Sequence, residues 1–303
     1  MKILSYAIDG QTRLGALLSG ERVLDLTNVY PTALAFLESG DLGMSTILSA
    51  VARAEAGEAL AGAVHSMGAV KLRAPVPQAR KLFALAGNYA EHVREGGRPS
   101  HSKEETYPYF FLKPPSTTLL APGAPFNYPA IARKLDYEGE LVVVIGKRGR
   151  DIPASQAYHY VAGYTILNDV SERALASKEP PRAERDRDRF FDWLMGKWYD
   201  GAAPCGPWLV TRDEIEDPHT LRLRTRVNGD IRQDALTSEM IFTIPELIEF
   251  ISRIVTLEPG DLIATGTPAG VGQAQGTFLR PGDTVEVEIE RIGVLRTPIV
   301  GTI

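Results

Sequence analysis

Residues 135–146 read LDYEGELVVVIG, and this stretch decides how the rest of the chain is read. The run after Glu140 is strongly β-forming. On a strand, residues two apart point to the same face, so Glu138 and Glu140 should emerge side by side. Gly139 between them allows close approach of another backbone. Two adjacent carboxylates repel unless a proton or cation neutralises them. Taken alone, the pair reads equally as a solvated strand edge.

Outward from this stretch the chain is strand-rich and punctuated by turns. Further strands are predicted at Lys81–Ala86, Tyr164–Asn168, Trp208–Thr211, Leu221–Val227, Asp261–Thr265 and Thr284–Ile289, and Asn228-Gly229 is a hairpin turn signal. A helix is predicted over Ile244–Ile254, with Pro245 in its first turn. Upstream, short strands between Lys2 and Leu26 precede helical stretches at Ala33–Glu38 and Ser45–Ala63; in the latter Ile47, Val51 and Ala54 share a side. The prolines of LRAPVP, residues 72–77, suit neither helix nor central strand. The expected division is a small N-terminal α+β domain, 1–73, and a larger, mainly β domain, 74–303.

The 303 residues carry a net charge of −5 and one cysteine, Cys205. An intramolecular disulfide is excluded and a cysteine zinc site disfavoured. The acidic balance argues against nucleic-acid or membrane-surface partners. No apolar run approaches the roughly 20 residues needed to span a bilayer. The opening MKILSYAIDGQ turns polar too soon for a signal peptide, so a reducing cytoplasm is the expected compartment.

Asp169 ends the hydrophobic run AGYTILND. With Glu138 and Glu140 it would give three hard oxygen ligands, suited to Mg²⁺, Mn²⁺ or Ca²⁺; read locally, it is also a good helix cap. In GNYAEHVREGG, residues 87–97, His92 and Glu95 would share a face of a helical turn, so that the glutamate sets the imidazole tautomer and makes it a general base. The same residues also fit a surface salt-bridging turn. Gly96-Gly97 suits either a lid hinge or a helix stop. Lys197, in MGKWYDG, is either desolvated and aimed at an anion or snorkelling from an apolar surface. In ATGTPAGVG, residues 264–272, Gly266 and Thr267 could bring backbone N–H groups to a carboxylate, or form a plain glycine-rich turn.

Taken in order, GNYAEHVRE, FLKPPST, DYEGELVVVIG, GYTILNDVSER, GKWYDGAAPCGPW, VNGDIRQ and IATGTPAGVG resemble the fumarylacetoacetate hydrolase family, over about Leu82 to Thr297. The resemblance implies a mixed β-sandwich roll, a homodimer, and a Mg²⁺ or Mn²⁺ site at Glu138, Glu140 and Asp169, where Ca²⁺ can stand in crystals. It implies a His92–Glu95 dyad on a segment that orders over substrate. Lys197 and Arg173 match positions facing substrate or developing charge; Thr267, next to Gly266, matches one near the substrate carboxylate. The expected reaction is hydrolysis of a carbon–carbon bond in a 2,4-dioxo acid, such as an acylpyruvate or fumarylpyruvate-like compound. The alternative is decarboxylation or isomerisation of oxaloacetate or an unsaturated 2-oxo diacid in aromatic-compound catabolism. The sequence departs from the family in two places. Ala176 stands seven positions after Asp169, where many acylpyruvate-cleaving members have glutamine, and Ser177–Asp192 is longer than in compact members.

Overall fold

The computed structural model describes residues 1–58, 63–97, 99–100, 102–175 and 185–302. Ala176 and the first half of the segment Ser177–Asp192 lie outside the described residues, as do positions 98 and 101.

The molecule is mainly β, with several helices. One sheet of twelve strands runs, in spatial order, Val64–Ser66, Arg22–Asp25, Gln11–Leu18, Lys2–Ile8, Ala203–Thr211, Val161–Asn168, Gly139–Ile145, Leu262–Ala264, Leu82–Ala86 and Tyr109–Lys113, with two short strands off this path. A five-stranded sheet is ordered Asp230–Leu236, Arg222–Val227, Thr284–Ile289, Gly293–Val300 and Phe126–Asn127. Leu135–Asp136 and Ser171–Glu172 form a separate two-stranded piece.

The run LVVVI does not alternate because it is buried on both faces. Leu141, Val143 and Ile145 enter the core shared with Leu223, Val285, Val287 and the helix Ile244–Ile254. Val142 and Val144 enter a second core with Ile3, Leu14, Phe36 and Ile47. Gly139 lies where the two sheets come close: a Cβ there would meet Thr225 Oγ1 at 2.3 Å and Val287 Cγ1 at 2.9 Å.

The N-terminal strands do not stand apart from this sheet. Lys2 pairs with Val210 and Ile3 with Leu209, antiparallel. Within LRAPVP, Leu72 pairs with Tyr6, and Pro75 accepts a hydrogen bond from Ser5 Oγ at 2.9 Å. The second N-terminal helix covers Gly40–Glu55 rather than beginning at Ser45. The Asn228-Gly229 turn is present, both residues having positive φ. Among the described residues, no helix is long and apolar enough to cross a membrane.

Candidate metal centre

Two adjacent antiparallel strands bring the three carboxylates together. Gly139 pairs with Asn168 and Glu140 with Leu167, so the start of one strand lies against the end of the next. Asp169 N donates to the Glu138 carbonyl at 2.8 Å, and Glu138 N donates to Asn168 Oδ1 at 2.9 Å. One oxygen each from Glu138, Glu140 and Asp169 lies within 4.8 Å of the others, and all three residues are buried. Asp169 caps no helix: the chain continues into the short strand Ser171–Glu172.

Cations surround this cluster. Lys197 is buried, and its ammonium donates to Glu138 Oε2 and to Asp169 Oδ2, both at 2.7 Å. Lys113, 1% exposed, donates to Asp169 Oδ1 and to the Ala202 carbonyl. Arg173 donates through Nε to Asp136 at 3.0 Å and through its terminal nitrogen to Glu138 Oε1. Burial alone would push the Glu138 carboxyl up, but Lys197 and Arg173 outweigh it and hold it well below the usual range. Burial opposes charge on Lys197 too, and Asp169 and Glu138 outweigh that, raising its ammonium.

Glu140 lacks such relief. Its Oε2 accepts from Gly266 N at 2.8 Å, but Oε1 is buried without a partner. Burial first, then the charges of Asp169 and Glu138, hold its carboxyl well above the ordinary range. An orphaned hard oxygen beside two further carboxylates suits a divalent cation with oxygen preference. The residues present fit such an ion.

His92 and Glu95 lie on the short helix Ala90–Glu95, where His92 Nδ1 is 2.7 Å from Glu95 Oε1. Glu95 Oε2 accepts from Gly270 N at 2.8 Å, so both carboxylate oxygens are engaged. Through Gly270 the pair is tied to the same glycine-rich loop that gives its Gly266 N–H to Glu140. Asn88, just upstream, is bonded to Phe242 and to the Thr265 carbonyl, which fixes the root of this helix.

The remaining sequence candidates have mixed placements. Arg173 is turned onto Asp136 and Glu138, and its side chain is 8% exposed. Thr267 Oγ1 donates to the Gly139 carbonyl at 3.0 Å and accepts from Gln233 Nε2 at 2.8 Å. Gly266 gives its N–H to Glu140. The aromatic neighbours of Lys197 are Phe111 and Trp193, at 5.6 and 5.9 Å, rather than its sequence neighbours Trp198 and Tyr199.

Sequence reasoning missed Lys113, Asp136 and Gln233. Gln233 accepts from Gly139 N at 3.0 Å and donates to Thr267 and to the Pro268 carbonyl, tying the Glu138–Glu140 strand to the glycine-rich loop. Each missed residue lies inside a quoted motif. A lysine closing the apolar run YFFLK was the one local signal of a buried charge needing a partner.

A family model described as fumarylacetoacetate (FAA) hydrolase C-terminal matches residues 81–300. The chain is 41% identical over 239 residues to the oxaloacetate tautomerase YisK of Bacillus subtilis, covering 78% of this chain and 75% of that protein. A maleylpyruvate hydrolase from Sphingobium sp. SYK-6, solved with manganese(II) and pyruvate, is similar at 28% identity and a TM-score of 0.78, over 100% of both chains. A 5-carboxymethyl-2-hydroxymuconate delta-isomerase from Mycobacterium smegmatis is similar at 32% identity and a TM-score of 0.75, over 99% of both.

Proposed function

This chain belongs to the fumarylacetoacetate hydrolase family, and on that premise we propose that it is a Mg²⁺- or Mn²⁺-dependent enzyme that hydrolyses a carbon–carbon bond in a small 2,4-dioxo acid, acylpyruvate or fumarylpyruvate-like. The observation that carries the reading is the His92–Glu95 pair and the buried triad of carboxylates, both tied to one glycine-rich loop through Gly270 and Gly266. The Mn²⁺ and pyruvate in the maleylpyruvate hydrolase structure support the choice of cation and substrate class.

Charge supports an anionic substrate. The connected cluster holds four carboxylates, Asp136, Glu138, Glu140 and Asp169, against three cations, Lys113, Arg173 and Lys197. With all four ionised, one negative charge is left unbalanced. A divalent cation at Glu138, Glu140 and Asp169 reverses that to one positive, which a carboxylate ligand offsets.

The ion, when bound, supplies Lewis acidity toward the 2-oxo group. The chain's own residues do the proton work. With Nδ1 bonded to Glu95, the neutral imidazole presents Nε2 as its basic atom, and Nε2 takes a proton from water as the water attacks the distal carbonyl. Glu95 stabilises the imidazolium that forms, and Gly270 N–H keeps Glu95 from turning away. Lys197 offsets charge on the departing enolate. The N–H groups of the glycine-rich loop after Ala264 lie next to this cluster, as Gly266 N shows by reaching Glu140.

A second reading is keto–enol isomerisation or decarboxylation of oxaloacetate or an unsaturated 2-oxo diacid. The likeness to an oxaloacetate tautomerase favours it, and it uses the same base without a water. Turnover of acylpyruvates, oxaloacetate and unsaturated 2-oxo diacids, each with Mg²⁺ and Mn²⁺, separates the two. Cleavage products from the 2,4-dioxo acids support the hydrolase. Enol–keto exchange or CO₂ release with no cleavage supports the second reading.

A further inference from the structure

Asp136 is fully buried two residues before the first ligand candidate, and both its oxygens are occupied. Oδ1 accepts from Tyr137 N at 2.9 Å and Gly272 N at 2.6 Å. Oδ2 accepts from Arg173 Nε at 3.0 Å and Gln273 N at 3.1 Å. The fit at Gly272 is close: a Cβ there would stand 2.6 Å from Asp136 Oδ1.

These bonds lead in two directions. Arg173, held by Asp136 through Nε, reaches Glu138 with its terminal nitrogen. The loop 270–273, held by Asp136 at Gly272 and Gln273, gives its Gly270 N–H to Glu95. The neighbouring Tyr137 hydroxyl donates to the Gly270 carbonyl at 3.1 Å, so the next peptide of the loop is held as well. Gly270 has φ +104 and a Cβ would lie 2.0 Å from the Arg232 carbonyl, so the loop has little room for another path.

We propose that Asp136 is a positioning residue that aligns the metal carboxylate Glu138 and the His92–Glu95 base from a single buried carboxylate, through Arg173 on one side and the 270–273 loop on the other. The proposal rests on the reading of Glu138 as a metal ligand and of His92–Glu95 as the base. It implies reciprocity: an ion that orders Glu138 also steadies the 90–95 helix, and loosening that helix weakens the ion. An amide cannot replace this carboxylate, because its NH₂ group would face N–H donors on whichever side it lay.

The test compares wild type with Asp136→Asn and Tyr137→Phe. Mn²⁺ affinity is read from the electron paramagnetic resonance of free and bound ion, and amide hydrogen exchange of residues 90–95 is followed in the Mn²⁺-loaded protein. Asp136→Asn is expected to weaken Mn²⁺ by roughly 10- to 100-fold, the usual effect of losing an outer-shell partner, and to speed exchange over 90–95. Tyr137→Phe loosens the loop alone: it removes the bond to the Gly270 carbonyl and leaves the bonds of Asp136 to Gly272, Gln273 and Arg173. It should speed exchange over 90–95 while leaving Mn²⁺ affinity within about threefold, since one peripheral contact is lost. A merely structural role for Asp136 would lower the melting temperature and move neither reading. Equal Mn²⁺ affinity in wild type and Asp136→Asn overturns the inference alone. A wild type that takes up no Mn²⁺ overturns the metal reading and the inference with it. Should Asp136→Asn fail to fold, Gln273→Pro replaces it, deleting the N–H that Asp136 Oδ2 accepts at the first turn of Gly272–Gln275, and unchanged exchange over 90–95 in that variant overturns the loop arm.

Discussion

The Lys113 ammonium and the Asp169 carboxylate form an ion pair with both side chains out of contact with solvent, 0% and 1% exposed. Burial pushes the Lys113 ammonium down, and the charge of Asp169 opposes that push. Removing one partner of a buried pair strands the other. Lys197 still pairs with Asp169, so Lys113→Met should cost the metal-free protein less than the roughly 3–5 kcal/mol of a charge left wholly unpaired. Because a divalent cation would also offset Asp169, excess Mn²⁺ should recover part of the loss. Denaturant titrations with and without Mn²⁺ check this. An equal deficit in both would mean that Asp169 does not face the ion.

The Glu140 carboxyl, held above its ordinary range by burial and by Asp169 and Glu138, predicts proton-linked metal binding. In the metal-free protein the folded state keeps this proton longer than the unfolded chain does. The stability it contributes is fully present below the ordinary carboxyl range and is lost as pH rises through the elevated folded value. Taking up the ion expels the proton, so affinity should climb with pH, approaching about tenfold per unit for one proton. Glu140→Gln has no such proton. It should bind Mn²⁺ roughly 100-fold more weakly with a flatter pH dependence, while the metal-free fold is at least as stable as wild type. Calorimetric titrations in two buffers of different ionisation enthalpy would count the released proton.

The base is tested by His92→Ala, which should lower cleavage of a 2,4-dioxo acid by roughly 100- to 10,000-fold. Glu95→Gln should cost less, because it keeps an acceptor for the imidazole and loses only the charge. Metal-driven exchange of the C3 protons of a bound 2-oxo acid should partly survive in His92→Ala. Near-normal cleavage by His92→Ala would dismiss the water-attack mechanism.

Association is the fourth expectation. Among the described residues, Tyr109–Lys113 ends the twelve-stranded sheet and pairs on one side only, with Leu82–Ala86. It leaves Tyr109 61% and Leu112 47% exposed, with Trp198 nearby at 40%. An apolar edge strand of this kind normally acquires a cover. A homodimer in sedimentation velocity, shifted toward monomer by Leu112→Glu, is the expected result. A wild-type monomer at micromolar concentration would count against it.

The sequence was legible where a signal is local. LDYEGELVVVIG announced its strand, Asn228-Gly229 its turn, and His92 with Glu95 a shared helical face, because each depends only on near neighbours. The three carboxylates were readable as candidates because two flank one glycine and the third ends an apolar run. Their common destination was not, since the Gly139–Asn168 register is a long-range pairing. Lys113, Asp136 and Gln233 stayed hidden for the same reason: their partners Asp169, Arg173 and Thr267 lie far along the chain. The N-terminal strands read correctly as strands, but nothing local told that Lys2 would meet Val210.

That last pairing has a consequence for how the molecule is made. Thr211 N donates to the Met1 carbonyl at 2.9 Å, across 210 positions of sequence. A ribosome adding about 5–20 residues per second would emit the strand Lys2–Ile8 on the order of ten seconds or more before its partner Ala203–Thr211. During that interval Lys2–Ile8 can pair with Gln11–Leu18, which follows at once, and later with Lys71–Leu72 at Tyr6 and Ala7, but its other edge stays open at Lys2 and Ile3. Nascent chains should therefore be prone to capture by chaperones, or by one another, at least until the ribosome has passed Thr211.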